Sequence, residues 1–532
     1  MRKNLASLTI ASSMILFSIA ILKAQSRDNE SFTQWPVAGQ NLNNSRDQPS
    51  EHKIGRSNVN KLATQWAFTT GSGVSATPIV AGDAVYFADW AGNLYAVDKR
   101  SGRQIWSHQI SEYDGVAGAI SRVSPVVNGD ELILGDIENS STTHAGANVI
   151  ALDRKNGALR WITQVDSHPA AVITGSPVVF GNIVYQGVSS NEEGLATDPA
   201  YPCCTFRGSV VALNATTGAI LWKTYDMPDN GGKPGGYSGG AIWQSPAIDP
   251  GRGLLYVGTG NNYSVPASVE ACQAKAIANH NADADCTVPD DYFDTAMALE
   301  LTTGRARWAS TAMIRWTKRL QQYDTWTVSC IEGLSSCPSP HGSDYDLGGS
   351  GPNFLGNMVG FGEKSGVYWA LNPDNGKVIW STSVGPGGTL GGIEWGTATD
   401  GRRIYVAIAN SSQASYMLPS GQTIASGSWG ALDAANGRIL WQTADPAAAL
   451  DTGSLSVANG VLYANSLAAA SGDSNMFALD TETGQILWKF ASGGSVIDGP
   501  AIVDGVVYWG SGYPRFGSAG NNKVFAFAVT HP

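Results

Sequence analysis

One pattern recurs along the chain and constrains its fold more than anything else: an alanine, any residue, an Asp, Asn or Glu, three residues, a glycine, three residues and a tryptophan. It joins Ala96, Gly102 and Trp106; Ala151, Gly157 and Trp161; Ala212, Gly218 and Trp222; and Ala298, Gly304 and Trp308. It returns at Ala370, Gly376 and Trp380, at Ala431, Gly437 and Trp441, and at Ala478, Gly484 and Trp488. An eighth copy is split, with Trp66 near the start of the chain and the strand-like Lys523–Phe527 near its end. Successive tryptophans are 40, 55, 61, 86, 72, 61 and 47 residues apart, a blade-length unit of about 40 plus insertions.

Within a unit the local signals are those of short strands and hairpins. Pro78–Val80 and Ala84–Phe87 flank Ala81-Gly82-Asp83, and Leu94–Val97 leads through the Asp98-to-Gly102 turn to Gln104–Trp106. The expected fold is therefore all-β: an eight-bladed β-propeller with tryptophan-docking repeats, its last blade closed by N- and C-terminal strands. Composition agrees, with 63 glycines in 532 residues and 17 tryptophans, but only 14% charged residues against about a quarter in ordinary soluble proteins. A tryptophan repeated in every blade reads as architecture, docked between blades with its indole N–H on a neighbouring carbonyl.

A formal charge of -11 offers no cationic footprint, so nucleic acid is not expected as a partner. Arg2 and Lys3 precede an uncharged stretch from Leu5 to Leu22, followed by Lys23-Ala24-Gln25, the layout of a secretory leader over 1–24. An uncleaved anchor is the alternative. Cleavage predicts a periplasmic or secreted protein that is not integral to the membrane, with an N-terminal extension at 25–60 and the propeller at 61–532. Six cysteines lie close in pairs, Cys203 with Cys204, Cys272 with Cys286 and Cys330 with Cys337. Export makes disulfides possible, and of the fifteen possible pairings the local one is expected. No Cys-x-x-Cys-His occurs, so a covalently attached c-type haem is not expected.

The repeat together with Tyr201-Pro202-Cys203-Cys204-Thr205-Phe206-Arg207-Gly208 and Tyr323-Asp324-Thr325-Trp326 resembles the quinoprotein alcohol dehydrogenases, and within them the polyvinyl-alcohol dehydrogenases, over about residues 35–532. That resemblance implies pyrroloquinoline quinone (PQQ) bound on the ring axis beside calcium, a lanthanide ion remaining open. It implies a Cys203–Cys204 ring against one face of the quinone and Trp243 against the other. Trp395 shares the Gly-Gly-x-x-Trp context of Trp243. Thr174, Arg122 and Arg207 are candidates for the cofactor's carboxylates. Asn261 of Gly258-Thr259-Gly260-Asn261 and Glu192 are the implied metal ligands, and hard oxygen donors suit such an ion. Asp344 is the implied base, Asp346 a metal ligand or neighbour, and Asp324 the rival base. Lys364 falls where a cation would stabilise charge developing on reduction. Glu394 departs from the Asn that relatives often carry, and the N-terminal glutamate that contacts the quinone elsewhere has no counterpart.

The implied activity is oxidation of an alcohol, secondary or polymeric, with electrons passed to an external acceptor such as cytochrome c. A cofactor-free propeller used as a binding or assembly scaffold is the alternative: it accounts for the repeats, but has no need of the paired cysteines, Asn261 or the Asp pair.

Overall fold

The computed structural model describes residues 34–137, 146–280, 286, 288–306, 317–319, 323–515, 518 and 520–530. The expected leader at 1–24 and docking Trp308 lie outside them. Eight antiparallel blades follow one another along the chain, seven of them four-stranded sheets and the third a four-stranded blade extended by the short strand Ala171–Val172. Blade one runs from Ile79–Ala81 to Gln104–Gln109, and blade two from Val126–Asn128 to Leu159–Asp166. Blade three spans Val178–Phe180 to Ile220–Tyr225, and blade four Ala247–Asp249 to Thr317–Arg319. Blade five spans Asn353–Phe354 to Val378–Ser383, blade six Ala398–Thr399 to Ile439–Ala444, and blade seven Ser456–Ala458 to Ile486–Phe490. Blade eight takes Ala501–Val503, Val506–Ser511 and Lys523–Val529 from the end of the chain and its outer strand, Leu62–Thr69, from the beginning. This is the expected propeller with its shared last blade.

The repeat residues explain one another. Each docking indole among the described residues donates its N–H to a carbonyl of the next blade: Trp66 to Lys99 at 3.0 Å, Trp106 to Arg154 at 3.1 Å, Trp161 to Ala215 at 2.8 Å and Trp222 to Leu301 at 3.2 Å. Trp380 reaches Ala434, Trp441 reaches Thr481, and Trp488 reaches Leu62, which closes the ring. Six of these indoles, all but Trp488, also cover the next repeat's glycine. A Cβ on Gly484 would sit 2.4 Å from Trp441, and on Gly437 2.4 Å from Trp380. The glycine also carries a left-handed φ, 72° at Gly484, that other residues adopt at a cost. The repeat alanine faces the tryptophan of its own blade at a β-bulge, as Ala431 faces Trp441 and Ala526 faces Trp66. In blade four Ala306 bridges Leu299, and Thr317–Arg319 pair with Thr295–Met297.

Residues 34–61 are not a loose extension. Their backbone pairs with the axis-lining first strands of six blades: Trp35 with Val80, Pro36 with Val127, Leu42 with Ile248, Asn43 with Phe354, Ser45 with Thr399 and Arg46 with Val457, while the Gln48 side-chain amide donates to Ile502 O of a seventh. At the turns between first and second strands, the Asn459 side-chain amide donates to Ile54 O and the Glu51 carboxylate accepts the N–H of Gly505. The segment thus stoppers one end of the ring axis. Arg46, 5% exposed, points inward and donates to Leu455 O, Thr77 Oγ1 and Ser454 Oγ. Three disulfides join Cys203 to Cys204, Cys272 to Cys286 and Cys330 to Cys337. Among the described residues no helix is long and apolar enough to cross a membrane.

Gly484→Ala is expected to lower the unfolding free energy by about 1–3 kcal/mol beyond Gly82→Ala, read from denaturant midpoints, because overpacking against Trp441 is added to the shared left-handed strain. Gly82 has a φ of 61° and nothing within 4 Å of a Cβ, so it isolates the docking contact.

Candidate active site

Opposite the stoppered end, two kinds of loop converge: those leaving outer strands and those joining second to third strands. Arg122, Thr174, Trp243 and Trp395 lie on connections between blades, as do Asp324, Asp344 and Asp346 between blades four and five. Glu192, Asn261 and Lys364 directly follow second strands, Ile183–Ser190, Leu254–Gly258 and Val359–Gly362. Residues far apart in sequence meet only because every blade presents the same loops at this end.

The centre is Lys364, 7% exposed, whose Nζ lies 2.9 Å from Asp344 Oδ1 and 3.0 Å from Asp346 Oδ2. Burial opposes its charge, but the two carboxylates outweigh burial and hold the ammonium protonated. Asp346 Oδ1 accepts the backbone N–H of Asn261 at 2.7 Å. The Asn261 amide donates to Trp326 O at 2.8 Å and Asn262 O at 3.0 Å, so its oxygen Oδ1 is the side-chain atom not committed to these carbonyls. Asp344 has a left-handed φ of 58°, a strained setting for a non-glycine residue. Asp324 holds it there: its carboxylate accepts the N–H of Asp344 at 3.0 Å and of Tyr345 at 2.6 Å. Asp344 itself meets Lys364 through Oδ1 and leaves Oδ2 clear of hydrogen bonds among the described residues.

Acids outnumber cations. Glu193 is pushed up to about 7 by burial, with Asp346 adding and Lys364 opposing; Glu394 rises to about 7 for the same reasons. Asp324 rises to about 6 through burial, against its backbone donors, and burial drives Asp344 and Asp294 up as well. Against them stand Lys364 and, farther off, Arg122. Such an oxygen-rich, net-negative cluster suits a hard cation.

The flat groups stand alongside. Lys364 Nζ is 5.5 Å from the Trp243 ring centroid, and Trp243 meets Trp395 edge-on at 5.1 Å. Thr174 Oγ1 donates to Trp243 O at 3.4 Å. Arg122 stacks on Trp395 at 4.3 Å with Trp90 5.4 Å away, and no salt bridge satisfies its guanidinium among the described residues. Arg207 is not brought into this group: it lies 4.0 Å over Tyr225 and 3.3 Å from Asp229, an exposed partner.

Glu192, expected as a metal ligand, has its carboxylate committed to neighbouring donors. Fully buried, it accepts Tyr201 Oη at 2.9 Å and Thr205 N at 2.8 Å on one oxygen and Phe206 N at 2.8 Å on the other. Its carboxylate anchors the Cys203–Cys204 loop, while the neighbouring Glu193 is the one that responds to Lys364 and Asp346. Sequence reasoning also missed Asp294, although Asp290-Asp291-Tyr292-Phe293-Asp294 is an acidic run in a charge-poor chain.

A family model described as outer membrane protein assembly factor BamB matches residues 63–200 and 425–529, the repeats on either side of the large insertions. The chain is 32% identical over 509 residues to the polyvinylalcohol dehydrogenase of Sphingopyxis sp. (strain 113P3), covering 86% of this chain and 69% of that protein. It is 30% identical over 526 residues to the polyvinylalcohol dehydrogenase of a Pseudomonas species, covering 90% and 73%. The chain belongs to this family of quinoprotein alcohol dehydrogenases. The propeller of this dehydrogenase is shared with the solved quinohemoprotein alcohol dehydrogenase ADHIIG of Pseudomonas putida HK5, at a TM-score of 0.69 and 18% identity, covering 95% of this chain and 81% of that one.

In this dehydrogenase Glu192→Ala is expected to leave two buried backbone N–H groups without an acceptor, at about 1–3 kcal/mol each. The loosened loop should expose Cys203–Cys204 to mild reductant, measured as at least a several-fold faster alkylation of those two cysteines by mass spectrometry; Glu193→Ala should leave that rate unchanged.

Proposed function

We propose that the protein is an exported PQQ-dependent dehydrogenase that oxidises a secondary alcohol, of the kind repeated along polyvinyl alcohol, to a ketone and passes the electrons to an external cytochrome c-type acceptor. The observation that carries this reading is the triad of Lys364 between Asp344 and Asp346, seated beside Trp243 in a family of alcohol dehydrogenases.

The residues present fit the cofactor and its ion. Asp346, Glu193 and Asn261 Oδ1 are oxygen donors in a cluster short of positive charge, which suits calcium or a lanthanide. Trp243 offers an aromatic plane, the Cys203–Cys204 ring is the proposed opposite plate, and Arg122 and Thr174 are the proposed partners for carboxylates. When bound, PQQ supplies the acceptor for the hydride that leaves the alcohol carbon.

The protein's own part is binding and proton handling. Asp344 accepts the alcohol proton at Oδ2, the oxygen that Lys364 leaves clear; its other oxygen is fixed by the lysine at 2.9 Å, so the acceptor atom is oriented. Asp324 is a positioning residue, because both its oxygens are committed to the backbone that carries Asp344. Lys364 keeps its charge throughout and places it where negative charge grows during the reaction. The leader at 1–24 supports export, and an acidic propeller without a haem-attachment motif supports an acceptor outside the chain.

Purified protein reconstituted with PQQ and calcium should retain the cofactor on gel filtration and reduce an artificial dye only when a secondary alcohol is supplied. Neither retention nor turnover would overturn the reading. Asp344→Asn should lower kcat by about 10²–10⁴-fold while keeping the cofactor, the scale of a lost general base. Asp324→Asn should lower kcat with little change in cofactor retention; full activity in Asp344→Asn would move the base elsewhere, and full activity in Asp324→Asn would remove its positioning role.

A further inference from the structure

The connection between blades six and seven, residues 445–455, lies at the same end of the ring as the active site but apart from its triad. It contains no lysine or arginine. Asp445, Asp451 and Thr452 are 4%, 0% and 5% exposed. The carboxyl groups of Asp445 and Asp451 are within hydrogen-bonding reach of each other, and no basic group acts on Asp451. Asp445 Oδ1 accepts the N–H of Ala447 at 2.6 Å and the Ser466 side chain lies beside Asp451, but Asp445 Oδ2, both oxygens of Asp451 and Thr452 Oγ1 have no hydrogen-bond partner of acceptable geometry.

A fifth oxygen comes from a different element. Asn465 ends the second strand of blade seven, Val461–Asn465, and is 1% exposed. Its amide donates to Ser454 O at 2.6 Å and Asp498 O at 3.1 Å, which turns Oδ1 onto the same connection at Gly453, where a Cβ would meet it at 1.7 Å. That oxygen also has no partner. The corresponding acid after the outer strand of blade two, Asp166, is neutralised by Lys223 at 2.6 Å; after blade six a second acid stands instead of a lysine.

Two buried carboxyls in contact cannot both be charged without a cation, since their repulsion in a low-dielectric interior is large. A shared proton would relieve the acids alone and leave Thr452 Oγ1 and Asn465 Oδ1 unsatisfied. A hard cation with six to eight oxygen ligands at about 2.3–2.6 Å takes all five oxygens, with backbone or water completing the shell. We propose that this connection is a cation site distinct from the active site, binding a divalent ion of the calcium class through Asp445, Asp451, Thr452 and Asn465. The ion fixes the segment that carries Leu450, which packs with Leu467, Tyr513 and Trp395, and so braces the wall of the active site.

Trp429 donates its indole N–H to Asn465 O at 3.1 Å, which places a sensitiser for terbium luminescence at the site. The test uses the full chain stripped with chelator, without PQQ, and calcium alone in equilibrium dialysis, with terbium as the optical probe. Asp346→Asn protein should bind one calcium per chain and show tryptophan-excited terbium emission that calcium displaces. Adding Asp451→Asn should remove that equivalent and the emission. No calcium bound by the Asp346→Asn protein, or unchanged binding and emission after Asp451→Asn, would overturn the proposal and leave the two acids sharing a proton. Thr452→Val keeps both acids should Asp451→Asn fail to fold; it should weaken calcium binding at least tenfold, and unchanged affinity would overturn the site as drawn.

Discussion

The seating of an indole on the next blade's glycine is the contact on which the ring depends. A propeller blade has no covalent tie to its neighbour beyond one connection, so its angle must be set by packing. Trp441 does three things at once: its ring covers Gly484, its N–H reaches Thr481 O, and Ala431 opposite it leaves room at the bulge. Each element is small in energy, about 1 kcal/mol for a hydrogen bond of this kind, but it recurs around the ring. A position that returns in every blade is then fixed, and chemistry is confined to what does not return.

The catalytic end shows what that freedom permits. Loops from blades three, four and five bring Glu193, Asn261, Asp344, Asp346 and Lys364 together, although none lies on a repeat position. The architecture supplies rigid second strands that end at the same height, and the loops supply the groups. The strained φ of Asp344 is held from outside by Asp324, an acid whose contribution is geometric. The same division of labour separates Glu192, which holds the disulfide loop, from Glu193, which faces the lysine.

Much of the fold was legible because its signals are local. The Asp-to-Gly turn, the bulge alanine and the docking tryptophan lie within eleven residues of one another, and the split copy at Trp66 already implied closure. Lys364 with Asp344 and Asp346 was reachable only through family resemblance, since their meeting depends on how blade five folds back. Glu192 and Glu193 could not be told apart by spacing, because a short helix at Glu192–Leu195 sends adjacent side chains in different directions. Residues 34–61 read as an extension because no pattern in them points to partners more than 400 positions away.

The stopper and the shared blade also govern how the molecule comes into being. Leu62–Thr69 has its only sheet neighbour among the described residues in Lys523–Val529, and Arg46 finds acceptors at Ser454 and Leu455, so the first part of the chain waits for nearly all the rest. Contacts of such sequence separation are slow to form, and until they do blades one and seven present open edges of the kind that pair with other chains. Assembly is therefore close to all-or-nothing: a product cut short before its last strand lacks the residues that seal the ring and becomes a substrate for aggregation or proteolysis. Whether the ring is sealed is thus decided by a single strand, Lys523–Val529, which holds the two ends of the chain together.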